Sequence, residues 1–472
     1  MAIELSNITF TDQADIVPAS GVEQILNTGV ANALAGNDTI TGIGRTFDMP
    51  GGDPGAYDYG LKNSGTFNTA EGDDVITGTA GLAGIINSGT FNTAEGNDII
   101  TANSQIGIGL DNSGTFNTGE GNDIITANSY LGSGFYNTGT FNTGEGNDTI
   151  TVGGRGAMRI SGTLNTAEGD DVITGSGRYI SIIISGTLNT AEGDDTITAA
   201  YAGLGAGLEN SGTFNMGEGN DVITGSGRYV GILTNSGSIF DTGDGNDRIR
   251  GSSGDTGISN EGTIDTSDGN DSIISEGNFT NRGNVFLGEG NDSIAADTDF
   301  PNRALQNFNA IDTGNGDDII TSTGVIYNEG IINTGNGDDS IIVDGGVNGT
   351  GAGYGIYNNG GAIITGDGND SIIANAGFES APNSSGAWFL GEGEDYIKGY
   401  GSGDFYGGNG NDILELTPGS YTVGRWADNT GESVVFTKGN SLMITSEFEQ
   451  LIAGGTTYNF TSLTAGQIIV IA

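Results

Sequence analysis

The sequence predicts an all-β fold, in which three-strand coils of about 25 residues stack through right-angled corners into a parallel β-helix, or β-solenoid, with small terminal caps. Three observations predict it. One unit recurs along the chain: FNTAEGDDVIT at 67–77, FNTAEGNDIIT at 91–101, FNTGEGNDIIT at 116–126, FNTGEGNDTIT at 141–151 and LNTAEGDDTIT at 188–198. Each unit holds three short segments in which apolar and polar residues alternate, separated by corners rich in Gly or Asn. No stretch of the array shows helical periodicity, and 89 of the 472 residues are Gly. A unit this short has too little apolar surface to fold alone, so neighbouring units must stack to bury a continuous core.

The first segment, GTFNT, points one large apolar residue inward: Phe67, Phe91, Phe116, Phe141, Leu164, Leu188 and Phe214. The second, DTIT or DVIT, does the same with Ile76, Ile100, Ile125, Ile150, Ile173, Ile197 and Ile223. A third, more variable segment offers Ile85, Leu110, Phe135, Leu208, Ile258 and Ile356. Three inward residues per coil describe a triangular tube. The Asn before each N-x-G corner (Asn63, Asn87, Asn112, Asn137, Asn210, Asn235, Asn260) is read as a structural ladder that satisfies corner backbone. Residues 1–34 are expected to form an N-terminal cap, 35–416 a solenoid of about sixteen GxGxD repeats, and 417–472 a C-terminal β cap containing Arg425, Trp426 and Lys438. An insertion at 42–61, marked by Pro50 and Pro54, reads as a surface loop.

Charge narrows the function. Thirteen Lys and Arg face 60 Asp and Glu, a net −47, which repels nucleic acid and anionic membranes and demands cations. With no Cys and no His, disulfides, thiolate nucleophiles, imidazole bases and the usual ligands of zinc, copper and haem are excluded. The start, MAIELSNITFTDQADIVP, lacks the basic and apolar regions of a cleaved secretory signal, and no segment is apolar enough to insert in a membrane.

The acidic corner GEGND or AEGDD points to the cation. Its second acidic position recurs at Asp38, Asp74, Asp98, Asp123, Asp148, Asp171, Asp195, Asp221, Asp247, Asp271, Asp292, Asp318, Asp339, Asp370, Asp395 and Asp412, with a median step of 25 residues. Stacking places these carboxylates in a column, where like charges about 5 Å apart repel by roughly 1 kcal/mol per neighbour even in water. A bound cation reverses the sign. Carboxylates and Gly carbonyls are hard oxygen donors, the set that Ca²⁺ accepts with flexible geometry, and glycine lets the backbone turn its carbonyls inward.

These residues resemble the RTX, or hemolysin-type, calcium-binding repeat. The segment Gly407-Gly408-Asn409-Gly410-Asn411-Asp412-Ile413-Leu414 fits its GGxGxDxUx motif in full, and GEGEDYIKG (391–399) and GYGSGDFYG (399–407) lie directly upstream. The resemblance implies Ca²⁺ held between coils by the Asp column together with Asp404, Gly391, Gly393, Gly408 and Gly410, strongest at 391–412. It also implies type I secretion through an uncleaved C-terminal signal, and an extracellular or cell-surface location. Most copies depart from the motif. Ala35, Ala70, Ala94, Ala167, Ala191 or Ser267 replaces the second Gly, and since Ala disfavours positive φ, those coils are expected to bind weakly or not at all.

The leading function is a secreted calcium-binding structural protein of the cell surface or matrix, similar to oscillin-like surface proteins, that self-associates, including into fibrils, or contacts other matrix components. An enzyme on a β-helix, such as a polysaccharide lyase, is disfavoured, because no carboxylate pair is singled out by a break in the repeat. A ligand-binding, adhesive or ice-binding solenoid is the alternative, with Thr66 and Asn68, Thr90 and Asn92, Thr115 and Asn117, and Thr140 and Asn142 forming a regular polar grid. Arg178 and Arg228 of the repeated GSGRY are expected to bridge acidic columns, and Gly203, Gly205 and Gly207 form only a corner.

Overall fold

In the computed structural model the chain is β-strand throughout, with two single-turn 3-10 helices and no α-helix among the described residues. Those residues are 2–18, 23–44, 58–201, 203–298, 303–345, 353–380, 386–427 and 432–472; most of the 42–61 insertion lies outside them. The strands gather into two compact units, Met1–Asp244 and Gly245–Ala472.

Within the first unit each coil contributes three strands that pair in parallel, in register, with those of the next. On one face Thr66–Asn68, Thr90–Asn92, Thr115–Asn117 and Thr140–Asn142 stack Phe67 on Phe91 on Phe116 on Phe141. On the second, Val75–Ala80, Ile99–Ser104 and Ile124–Ser129 stack Ile76 on Ile100 on Ile125. On the third, Ala83–Asn87, Ile108–Asn112 and Ser133–Asn137 stack Ile85 on Leu110 on Phe135. Every apolar residue expected to point inward is buried. Phe91, Phe116 and Phe141 stack face to face, with 4.3 Å between the Phe91 and Phe116 rings and 4.7 Å between Phe116 and Phe141, while Phe67 meets Phe91 edge-on at 4.9 Å. Twice the second and third strands fuse into one long bent strand, Thr149–Ile160 and Val172–Ile184.

The first unit begins inside the segment read as a cap. Gln24–Asn27 and Val30–Asn32 already hold coil register against Tyr59–Asn63 and Thr66–Asn68. The second unit repeats the arrangement from Arg248–Asn260 onward, with a stacked Trp388–Phe405 pair in its core. Antiparallel pairing starts at Gly419–Ala427, which pairs with Glu432–Lys438 and Ile468–Ile471.

The Asn ladder forms as expected over most of its length. Asn63 Nδ2 donates to Asn87 Oδ1, Asn87 to Asn112 and Asn112 to Asn137, each at 2.8 Å, and Asn27 extends the column backward. In the second unit Asn260, Asn281, Asn307, Asn328 and Asn358 form another. Asn235 does not belong. Its coil is shifted by one residue, so Thr234 faces Asn210, and Asn235 donates instead to Glu209 and Ser211.

The corners turn in the same way whether or not the second glycine is present. Ala70, Ala94, Ala167, Ala191 and Ser267 adopt φ between 58 and 73°, the left-handed conformation, so a Cβ does not prevent the turn. In the first coil the left-handed residue is Leu34 (φ 63°), not Ala35, because the corner there runs Leu34-Ala35-Gly36. The glycine two positions later tolerates no side chain. A Cβ on Gly96 would lie 2.0 Å from Gly72 O of the previous coil.

Two substitutions at one corner should therefore act in opposite directions in a denaturant melt. Gly96→Ala should destabilise by about 2 kcal/mol or more, since the obstacle is backbone. Ala94→Gly should stabilise by about 1 kcal/mol by relieving left-handed strain.

Candidate metal centre

The corner between the first and second strands sorts its acidic residues by side. Glu71, Glu95, Glu120, Glu145, Glu168, Glu192 and Glu218 are exposed, as are Asp73, Asp170 and Asp194. The second acidic residue turns the other way. Asp74, Asp98, Asp123, Asp148, Asp171, Asp195 and Asp221 are at most 1% exposed, as are Asp271, Asp292, Asp318, Asp339, Asp370, Asp395 and Asp412, and Asp247 is 2% exposed. The predicted column exists, but it faces into the tube rather than along an outer edge. Glycine and left-handed residues around it fold the short loop so tightly that its last side chain points back inside.

Burial is tied to backbone bonding. The N–H of each Asp donates to Oδ1 of the Asp one coil later: Asp74 to Asp98, Asp98 to Asp123, Asp123 to Asp148, Asp148 to Asp171 and Asp171 to Asp195, at 2.7–2.8 Å. The second unit continues in the same way from Asp247 through Asp271, Asp292, Asp318, Asp339, Asp370 and Asp395 to Asp412. Two members lie beyond the motif. Asp15 donates its N–H to Asp38 Oδ1 at 2.7 Å, and Glu449 Oε2 accepts the N–H of Asp412 at 2.8 Å. Neither stands in a GxGxD context, so only the residue two positions on, Val17 after Asp15 and Leu451 after Glu449, hints at coil register.

The other carboxylate oxygen is the anomaly. Oδ2 of Asp74, Asp98, Asp123, Asp148, Asp171, Asp195, Asp271, Asp292, Asp339, Asp370, Asp395 and Asp412 is buried with no hydrogen-bond donor. In most coils a Thr five residues earlier lies beside it and eases its charge in part, but in several coils the hydroxyl proton goes to the main chain of the next coil. Thr93 Oγ1 donates to Thr118 O and Thr118 Oγ1 to Thr143 O, both at 2.9 Å. Thr313 donates to its own Asp318 Oδ2 at 2.5 Å. No basic side chain compensates, because the three ion pairs among the described residues join Arg250 to Glu276, Lys398 to Glu415 and Arg425 to Glu432. Arg178 and Arg228 do not bridge the column; Arg228 lies over the ring of Tyr229.

A desolvated carboxylate without a counter-charge is costly, and it takes up a proton unless a cation arrives. Burial accordingly pushes Asp74, Asp98 and Asp123 up to about 7 and Asp171 to about 8, against partial relief from the neighbouring Thr and backbone N–H. The available donors are all hard oxygens: Asp Oδ2 and the carbonyls of the corner glycines, one set per coil. Among the described residues no three carboxylates converge on one point, so an ion here would rest on one Asp per coil plus main-chain oxygens. That set suits Ca²⁺ and no transition metal.

Gly391 lies opposite Gly408 and Gly393 opposite Gly410 in adjacent coils. A Cβ on Gly408 would meet Gly391 O at 1.8 Å. Asp404 falls elsewhere. It occupies the outward position of the strand Gly403–Gly410, opposite Ala387, and Asp395 bonds directly to Asp412 without it.

No family model and no curated protein sequence matches the chain. Among solved structures it is similar to a hyperactive, Ca²⁺-dependent, beta-helical antifreeze protein from an Antarctic bacterium, determined by X-ray crystallography. Identity is 21%, coverage is 77% of this chain and 84% of that one, and the TM-score is 0.29. The solenoid assignment rests on the strand register described above.

The Asp column makes stability depend on pH. Its folded pKa values lie above the ordinary 3.8, so the folded state binds protons more tightly than the unfolded one. In chelator, stability should therefore be fully present below about pH 4 and fall as pH rises through 6 to 8. Asp98→Asn keeps the Oδ1 acceptor but removes the charge. It should raise the melting temperature in chelator at pH 8 and leave it nearly unchanged at pH 4.

Proposed function

We propose that the protein is a calcium-binding structural repeat protein of the cell surface or extracellular matrix, exported by the cell, in which Ca²⁺ between coils stabilises the solenoid. The observation that carries this reading is the row of wholly buried Asp oxygens with neither a donor nor a basic partner. Bound Ca²⁺ would supply the positive charge that the corner lacks. The chain's own residues do the rest: Asp Oδ1 joins coil to coil through backbone N–H groups, and the carbonyl of each corner glycine abuts the glycine of the next coil. Among the described residues no side-chain constellation is set apart from the repeat, which favours a scaffold over catalysis. Among the described residues no helix is long and apolar enough to cross a membrane.

A second reading has its own observation. In the first unit Thr and Asn alternate with the buried Phe or Leu on one face, in register from coil to coil. The Asn side chains are already organised, since Asn117 Nδ2 donates to Asn92 Oδ1 and Asn142 to Asn117, each at 2.8 Å. Rows about 4.8 Å apart, with Thr and Asn separated by about 6.7 Å along each strand, form a flat periodic grid. Such a grid suits an ordered surface such as ice or crystalline polysaccharide.

Calcium titration of the chelated protein at pH 8 should raise β-type circular dichroism and melting temperature together, each site adding about 2.7 kcal/mol at a hundredfold excess over its Kd. A melt unchanged by chelation would remove the calcium reading. For the grid, Thr115→Tyr should abolish pelleting with crystalline polysaccharide or retention in growing ice without changing the melting temperature; equal retention of the variant would remove the second reading.

A further inference from the structure

The last coil is covered by a segment unlike any other in the chain. Ser441–Ser446 pairs in parallel with Gly403–Gly410, and Gln450–Ala453 with Ile413–Leu416, so the chain leaves for an antiparallel hairpin and returns to cover its own final coil. The corner of this returning segment is Glu447-Phe448-Glu449, without a glycine, and Glu447 is nonetheless left-handed at φ 63°. A strained non-glycine residue of this kind persists only where its surroundings hold it.

Across from this corner lies Asp412. That side chain is wholly buried, its Oδ1 accepts the N–H of Asp395 at 3.0 Å, and its Oδ2 has no donor. In most coils a Thr stands five residues before the Asp; here the residue is Gly407. A Cβ at Gly407 would lie 2.1 Å from Glu447 O and 2.7 Å from Asp412 Oδ2. A carbonyl oxygen and a carboxylate oxygen thus converge over a bare glycine, with the Glu449 carboxylate on the backbone N–H of the same Asp412. Two electron-rich oxygens brought together without an intervening proton repel each other, whereas a divalent cation between them is attracted to both.

We propose that a calcium ion held by Asp412 Oδ2 and Glu447 O, beside the Glu449 carboxylate, docks the returning segment onto the final coil. This rests on the calcium reading above and adds a distinct claim: one site joins solenoid to cap rather than coil to coil, so calcium controls closure of that end. Gly407 places no side chain between the two oxygens, and the left-handed turn at Glu447 supplies the carbonyl.

Hydrogen exchange read by mass spectrometry on the full chain, in chelator and in millimolar calcium chloride, tests it. In the wild type, amides of 434–459 should exchange about tenfold more slowly with calcium. Asp412→Asn keeps the Oδ1 acceptor and puts an NH₂ group where it can donate to Glu447 O. Its 434–459 segment should be protected equally with and without calcium, while 66–126 keeps its calcium response. Glu449→Gln, which still accepts the Asp412 N–H, should need more calcium for the same protection. The proposal is overturned if 434–459 of Asp412→Asn responds to calcium as the wild type does, or if wild-type 66–126 responds and 434–459 does not. A response in neither region overturns the calcium reading itself.

Discussion

The solenoid depends on one requirement at its acidic corner: the backbone N–H of each Asp must find an acceptor after the chain has turned too sharply to offer a carbonyl. The carboxylate of the next coil meets it, at 2.7–2.8 Å through most of both units. The bond draws every Asp out of water, and Oδ2 goes with Oδ1. The contact that fixes coil to coil therefore loads the interior with negative charge, and the demand for a proton or a cation is its direct consequence.

The other corners avoid this cost. The buried Asn column does the same work with a neutral side chain that both donates and accepts, so each amide bonds to the next and the column leaves over an oxygen at its start, Asn27 Oδ1, rather than one in every coil. Where Ile160 and Ile184 replace Asn, the coil keeps its register through strand pairing and apolar stacking alone. An amide ladder is self-sufficient; a carboxylate ladder needs an outside ion. That difference is the physical basis for reading the acidic corner as the functional one, and for expecting it to respond to calcium and to pH.

A ladder that each coil passes to the next must also begin and end. Asp15 donates into the start of the first unit's column and Glu449 accepts from the end of the second unit's, each in a segment that lacks the repeat motif. Ends of repeat arrays are atypical for this reason: they must satisfy bonds that a further coil would have satisfied.

The sequence by itself determined the period, the three-segment coil, which Phe, Leu and Ile enter the core, and the existence of an aligned acidic column, because spacing and alternation dictate these. It could not show which way the column faces, since Asp74 reads the same whether its carboxylate lines an outer edge or the interior. Register errors have the same root. Asn235 fits the local pattern, yet a one-residue shift puts Thr234 in its place, and Asp404 matches the motif letters while standing on an outward strand position; Leu34 for Ala35, by contrast, follows from counting four residues back from Asp38. Only the tertiary structure decided the facing of the column and the places of Asn235 and Asp404, because they depend on how one coil lies over another, and a single repeat contains no information about the oxygen it will meet one coil away.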